Sequence, residues 1–136
     1  MIGIVIVTHG RIGEEMLTAL NTIVGPQEQA SAISIGNNDD MEKSRDDIMR
    51  AITEVNTGSG VILLTDMFGG TPNNLAIAAM PRSHAVVMAG VNMPMLVKLA
   101  SIRETTPLMD AVREAEMAGR KYIQSVSDNI VSATGT

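Results

Sequence analysis

His9 and Asp66 are the residues whose types and surroundings best suit chemistry. His9 ends the run Ile4-Val5-Ile6-Val7-Thr8 and is followed by Gly10, while Asp66 follows Leu63-Leu64-Thr65 and leads into Met67-Phe68-Gly69-Gly70-Thr71-Pro72-Asn73. Each stretch is an apolar run that stops at small and polar residues, the pattern of a strand buried on both faces of a parallel sheet. In open α/β sheets the ligand crevice lies beyond the carboxyl ends of the strands. A histidine and a carboxylate meeting there, beside a glycine-rich loop, suit phosphoryl or proton transfer. Simpler readings exist for each part. A histidine after a strand is often structural or solvated, Asp readily forms turns, and Gly69-Gly70 fits a tight connection. Titratable groups at two strand ends, with glycine after both, favour chemistry.

Neutral imidazole, with an ordinary pKa of about 6.5, is a good nucleophile near neutral pH. If one ring nitrogen attacks phosphorus, the other carries the proton and needs an acceptor. Asp66 would supply it, fixing the tautomer and stabilising the cation that forms. A phosphoryl group on His9 would need hydrogen-bond donors. Gly10, Gly69 and Gly70 let backbone N–H groups approach closely, Thr71 adds a hydroxyl, and a helix starting near Pro72 presents its positive end.

Other chemistries fit less well. Neither glycine-rich loop carries the lysine of a P-loop. His9 and Asp66 would be only two ligands where catalytic zinc takes three; Asp39 and Asp40, near a second strand end, could add to them, but the preferred reading has no metal and no cofactor. No Gly-x-Ser-x-Gly elbow supports a serine hydrolase. His84, after Pro81-Arg82-Ser83, reads as a solvated turn residue.

Strands and helices alternate in a way that can position these groups. After the first strand, Ile12, Met16, Leu17, Leu20, Ile23 and Val24 predict a helix that Gly25-Pro26 ends. Ser31 to Ile35 reads as a strand, and Asp39 or Asp40 as the cap of a helix carrying Met41, Ile48, Ile52 and Val55. Val61 to Thr65 is a third strand, followed by a helix from Pro72 that Pro81 stops. Ala85 to Ala89 is a fourth strand, and Met95 to Ile102 a further helix. Thr106-Pro107 predicts a cap and first-turn proline for a helix ending at Gly119. Lys121 to Val126 reads as a last strand. Successive strand–helix units imply an α/β fold, a mostly parallel central sheet with helices on both faces. Residues 1–126 form the single domain, and 127–136 are expected to be a disordered C-terminal tail.

The chain has 136 residues, of which 45% are hydrophobic, enough to build one core. Phe68 and Tyr122 are the only aromatics, so the core must be aliphatic with help from eleven methionines. A net charge of −5 argues against nucleic acid. No apolar segment is long enough for a membrane span, and the apolar start lacks the basic region of a signal peptide. The absence of cysteine fits a cytoplasmic protein.

Three motifs together resemble one family. Val7-Thr8-His9-Gly10, the Asp66 to Asn73 loop, and Ala89-Gly90-Val91-Asn92-Met93-Pro94-Met95-Leu96 are similar to those of the IIA component of the mannose-type sugar phosphotransferase system, over about Met1 to Ser125. The resemblance implies a phosphotransferase component in which His9 is phosphorylated by the phosphocarrier HPr, Asp66 pairs with His9, and Thr71 helps hold the phosphate. It places Phe68 beside the site as a contact residue, and Asn92 and Pro94 in a loop that helps wall the crevice. It further implies a homodimer in which a C-terminal strand, here Lys121 to Val126, is exchanged antiparallel into the partner. An unpaired sheet edge in a lone domain points the same way. Family members are often fused through an Ala/Pro-rich linker to a IIB domain, and no such linker follows here. Either a separate IIB component receives the phosphoryl group, or the phosphorylation state of His9 regulates binding to a target protein without sugar transport. A third relative in fold, the phosphocarrier subunit of dihydroxyacetone kinase, matches the loop at Phe68 to Pro72 less closely.

Overall fold

The computed structural model describes residues 1–127. In chain order the elements are β1 (Gly3–His9), α1 (Ile12–Val24), β2 (Ala30–Ile35), α2 (Met41–Val55), β3 (Val61–Thr65), α3 (Thr71–Ala79), a 3₁₀ turn (Met80–Arg82), β4 (Ala85–Ala89), α4 (Met93–Ile102) and α5 (Leu108–Lys121). The four strands form one sheet in the order β2-β1-β3-β4, and every pairing is parallel.

Strand alternation divides the core in two. Ile4 and Ile6 of β1 and Ile62 and Leu64 of β3 pack with Leu20, Leu96, Leu99, Ala111 and Ala115, which places α1, α4 and α5 on one face. Val5, Val7, Val61 and Leu63 pack with Ile48, Ile52, Val55, Leu75 and Ala76, which places α2 and α3 on the other. Both faces are covered, so β1 and β3 are apolar at consecutive positions. Phe68 and Tyr122 are exposed, so no aromatic side chain enters the core.

Several local expectations are corrected. The stripe of α1 that packs is Gly13, Met16, Leu17 and Leu20, at helical spacing, while Ile12 and Ile23 lie off it and are exposed. The side chain of Asp40 caps α2 by accepting the Glu42 N–H at 2.9 Å. Asp39 turns back instead and accepts the Gly36 N–H at 2.7 Å. Pro107 occupies the cap of α5 with no side-chain hydrogen bond. Gly119 does not end that helix. A Cβ there would stand 2.6 Å from Cγ of Met95, so the glycine lets α5 press against α4.

Lys121 to Val126, expected as a last strand, forms none in this single copy. Lys121 closes α5, residues 122–125 have no regular structure, and 126–127 are helical. A strand needs a neighbouring edge for its N–H and C=O groups, whereas this stretch is exposed throughout. The rest of the expected tail, 128–136, lies outside the described residues.

Candidate functional site

The strand order reverses direction between β1 and β3, because the chain leaves β1 for β2 on one side and then crosses to β3 on the other. Such a switch point opens a crevice at the carboxyl ends of the two strands. His9 is the last residue of β1 and Asp66 the first beyond β3. The parallel register, with Val7 opposite Thr65, brings their side chains level.

They meet directly. Nδ1 of His9 lies 2.8 Å from Oδ2 of Asp66, and the same oxygen accepts the backbone N–H of His9 at 3.0 Å. Oδ1 accepts the Met67 N–H at 3.0 Å. Burial pushes the Asp66 carboxyl up, but the hydrogen bonds from the His9 ring and backbone outweigh it and hold the group below the usual carboxylate range. An ionised carboxylate can only accept. Nδ1 therefore carries the proton, and the lone pair of a neutral His9 sits on Nε2. The Asp66 side chain is 14% exposed against 45% for His9, so the carboxylate is sheltered while the imidazole reaches solvent.

The loop after Asp66 is shaped around that ring. A Cβ on Gly70 would lie 2.8 Å from Cε1 and 3.4 Å from Nε2 of His9. Only a residue without a side chain leaves room for the imidazole. Gly69 has φ +86°, which disfavours side-chain-bearing residues. Gly70 is the N-cap of α3, and the first helical bond runs from Asn74 N–H to Gly70 O. The N–H groups of Thr71 and Asn73 thus have no helical carbonyl to bond, and the helix presents its positive end here.

A crevice of about 320 Å³ is lined by His9, Ile35, Gly36, Asn37, Asp39, Met41 and Thr71. Thr71 and His9 thus line the same crevice. Gly10, with φ +51°, turns the chain out of β1 at its rim, its N–H donating to Ile35 O. Phe68 stands beside the site, 81% exposed, with Met67 60% exposed next to it. Asn92 and Pro94 do not line this crevice. Asn92 caps α4, accepting the Met95 N–H at 3.1 Å and donating to Gly119 O at 3.1 Å. Pro94 lies in the first turn of the same helix. Both polar ends of Asn92 are spent on joining α4 to α5.

The β2–α2 loop is a wall of this crevice, a strand end that the sequence reading weighed only for metal ligands at Asp39 and Asp40. Its signal was present in Gly36-Asn37-Asn38 at the carboxyl end of β2, a third strand end facing the same way. Among the described residues, no group of three or more histidine and acidic side chains is placed to hold a metal ion. No helix among them is long and apolar enough to cross a membrane.

Comparison with known proteins identifies the family of the chain. The model of the family described as "PTS system fructose IIA component" (EIIA-man) matches residues 3–117. The "PTS system mannose-specific EIIAB component" of Escherichia coli K12 is 32% identical over 127 residues, which cover 92% of this chain and 39% of that protein. The chain thus spans about two fifths of that relative's length. The "PTS system fructose-specific EIIA component" of Bacillus subtilis is 25% identical over 131 residues, covering 96% of this chain and 90% of the relative. Among solved structures, the phosphotransferase system component EIIA from Streptococcus agalactiae superposes with a TM-score of 0.86 at 26% identity, covering 94% of this chain and 99% of that one. With a family match over most of its length, and a fold shared with a solved EIIA component, this chain belongs to the mannose/fructose-type IIA family of the phosphotransferase system.

Proposed function

We propose that the protein is a phosphoryl carrier that accepts a phosphoryl group on Nε2 of His9 from a phosphorylated HPr-type donor and passes it onward. The observation that carries this reading is the 2.8 Å contact between Nδ1 of His9 and Oδ2 of Asp66, which leaves Nε2 as the free nucleophile. The lone pair of Nε2 forms the new bond to phosphorus as the bond to the donor's leaving atom breaks, and that atom keeps its electron pair. The proton on Nδ1 stays in place. Asp66 stabilises the positive charge that develops on the ring. Charge on the phosphoryl oxygens meets the N–H groups at the start of α3, the backbone of Gly69 and the Thr71 hydroxyl, whereas the Gly10 N–H is already engaged by Ile35 O and Gly10 serves only to turn the chain away from His9. Onward transfer reverses these steps toward a IIB component.

Partner recognition fits the surroundings of His9. Exposed Phe68 and Met67 give a docking protein apolar purchase beside the reacting nitrogen. The exchange needs no cofactor, and it belongs in the cytoplasm, where such donors work. A homodimer is part of the same reading. β4 is an open edge of the sheet, and a groove of about 350 Å³ beside it is lined by residues that include Val87, Ala89, Met95, Arg120 and Ile123. The segment from Lys121 to Val126 of a second copy is the occupant this reading assigns to that edge.

Incubation with HPr, its phosphorylating enzyme and phosphoenolpyruvate, followed by intact mass, tests the function. One acid-labile, base-stable phosphoryl group is expected, absent from His9→Ala. A label that persists in His9→Ala and disappears in His84→Ala would overturn the assignment of the nucleophile.

A further inference from the structure

Thr65 and Asn73 are polar residues placed where apolar ones would pack. β3 is otherwise Val61-Ile62-Leu63-Leu64, and Thr65 is fully buried at its end, on the same sheet face as Val7, its register partner. Asn73, the third residue of α3, is 1% exposed. The Thr65 hydroxyl donates to Oδ1 of Asn73 at 2.8 Å, and both groups are buried. Nδ2 of Asn73 has no hydrogen-bond partner. A buried pair that leaves one amide donor unsatisfied is a poor stabilising device, since two apolar side chains of similar shape would serve the core as well.

Its position gives it another use. Thr65 immediately precedes Asp66, and Asn73 follows Gly69-Gly70-Thr71. The bond therefore ties together the two ends of the loop that holds the carboxylate at one end and the glycine face for His9 at the other. Asp66 is anchored to His9 by its own hydrogen bonds. Gly70 and Thr71 lack such an anchor, because Gly70 is held only by a long bond from its N–H to Met67 O at 3.4 Å and by the helix that follows. We propose that Thr65 and Asn73 form a positioning pair whose hydrogen bond sets the start of α3 against His9, and so fixes the donors that receive the transferred group. The inference rests on the carrier reading for its chemical consequence, while the geometric claim stands apart from it.

Four variants test it: Thr65→Ser, Thr65→Val, Asn73→Leu and the double Thr65→Val/Asn73→Leu. Thermal unfolding, phosphoryl acceptance at varied donor concentration, and amide hydrogen exchange at Gly70 and Thr71 are measured for each. Thr65→Ser keeps the hydroxyl and should match the parent chain in kcat and in exchange at Gly70 and Thr71, with a lower unfolding temperature from the lost buried methyl. Thr65→Val and Asn73→Leu should lower kcat about tenfold with KM nearly unchanged, as small displacements of positioning groups do, and should speed exchange at Gly70 and Thr71. The double variant decides the matter. It should regain the parent's unfolding temperature, because neither polar group is then stranded, yet keep the low kcat and the fast exchange. A double variant with parent kcat and parent exchange at Gly70 and Thr71 would overturn the proposal and leave the pair a packing detail. If the parent chain accepts no phosphoryl group, the carrier reading fails, and the exchange comparison, which needs no donor, still decides the pair.

Discussion

Gly70 and His9 are fitted to each other: a methyl group on Gly70 would come within 2.8 Å of Cε1 of the imidazole. The backbone there, at φ −78° and ψ 168°, is open to any residue. The glycine is thus required by the ring and not by the turn. Gly69 is the reverse case, with φ +86° and no atom within 4 Å of the place a Cβ would take.

This contrast predicts that the two glycines fail differently. Gly70→Ala should displace the imidazole and slow phosphoryl acceptance by roughly ten- to a hundredfold, with little change in unfolding temperature. Gly69→Ala should instead destabilise the fold by about 1 kcal/mol or more through backbone strain. Paired rate and denaturation measurements on the two variants check this. Equal rates for Gly70→Ala and the parent would show that His9 need not sit where it does.

The depressed pKa of Asp66 has a pH consequence. Its carboxylate is bound more favourably in the folded chain than in the unfolded one. Its contribution to stability is complete above the unfolded carboxylate pKa and is lost as pH falls through the lower, folded value. Urea midpoints of the parent and Asp66→Asn should therefore differ most near neutral pH and converge under strongly acidic conditions. A gap that stays constant from neutral to acidic pH would mean that the carboxylate gains nothing from His9.

Dimerisation should be visible in solution. Ile123 is exposed and lines the groove beside the open β4 edge, and Met117, Tyr122 and Val126 at the end of α5 and just beyond it are exposed too; a second copy would cover such apolar surface. Sedimentation should give a dimer at micromolar concentration, and Ile123→Asp should shift it toward monomer. A parent chain that sediments as a monomer would remove strand exchange from the account.

The sheet was legible because its strands announce themselves. Val61–Thr65 and Ala85–Ala89 are apolar runs bounded by glycine or polar residues, and the structure reproduces both ends of each. His9 and Asp66 were legible for the same reason, since each stands where such a run stops. Gly119 misled because glycine near a helix end reads as a stop, while here it serves the approach of α5 to Met95. Asn92 stands at a strand-end loop, where a residue can cap a helix as well as line a groove, and its side chain caps α4. Thr65 and Asn73 gave no signal at all. One looks like the end of a strand and the other like a first-turn helix residue, and only the tertiary fold shows that they touch.

Asp66→Asn separates charge from shape most cleanly. The amide matches the carboxylate in size, so the hydrogen bonds that Oδ2 accepts from the His9 backbone and Oδ1 from Met67 cannot both survive: one oxygen becomes an NH₂ group. If that group faces Nδ1 of His9, it offers a proton where an acceptor is needed. The ring then moves its own proton to Nε2, the nitrogen that should attack. If the oxygen faces Nδ1, the tautomer survives but the negative charge that stabilises the developing cation is gone. Either way the rate of phosphoryl acceptance should fall. In the serine-protease precedent the equivalent change costs about ten-thousandfold. A smaller loss, on the order of ten- to a thousandfold, is expected here because no proton has to be moved between substrates during the transfer. Nitrogen chemical shifts of the His9 ring report the tautomer directly. The parent should show the proton on Nδ1, and Asp66→Asn should show a larger share on Nε2 together with the slower transfer. Identical ring shifts and identical rates in the two proteins would mean that Asp66 neither orients nor stabilises His9, and the site would have to be rebuilt without it.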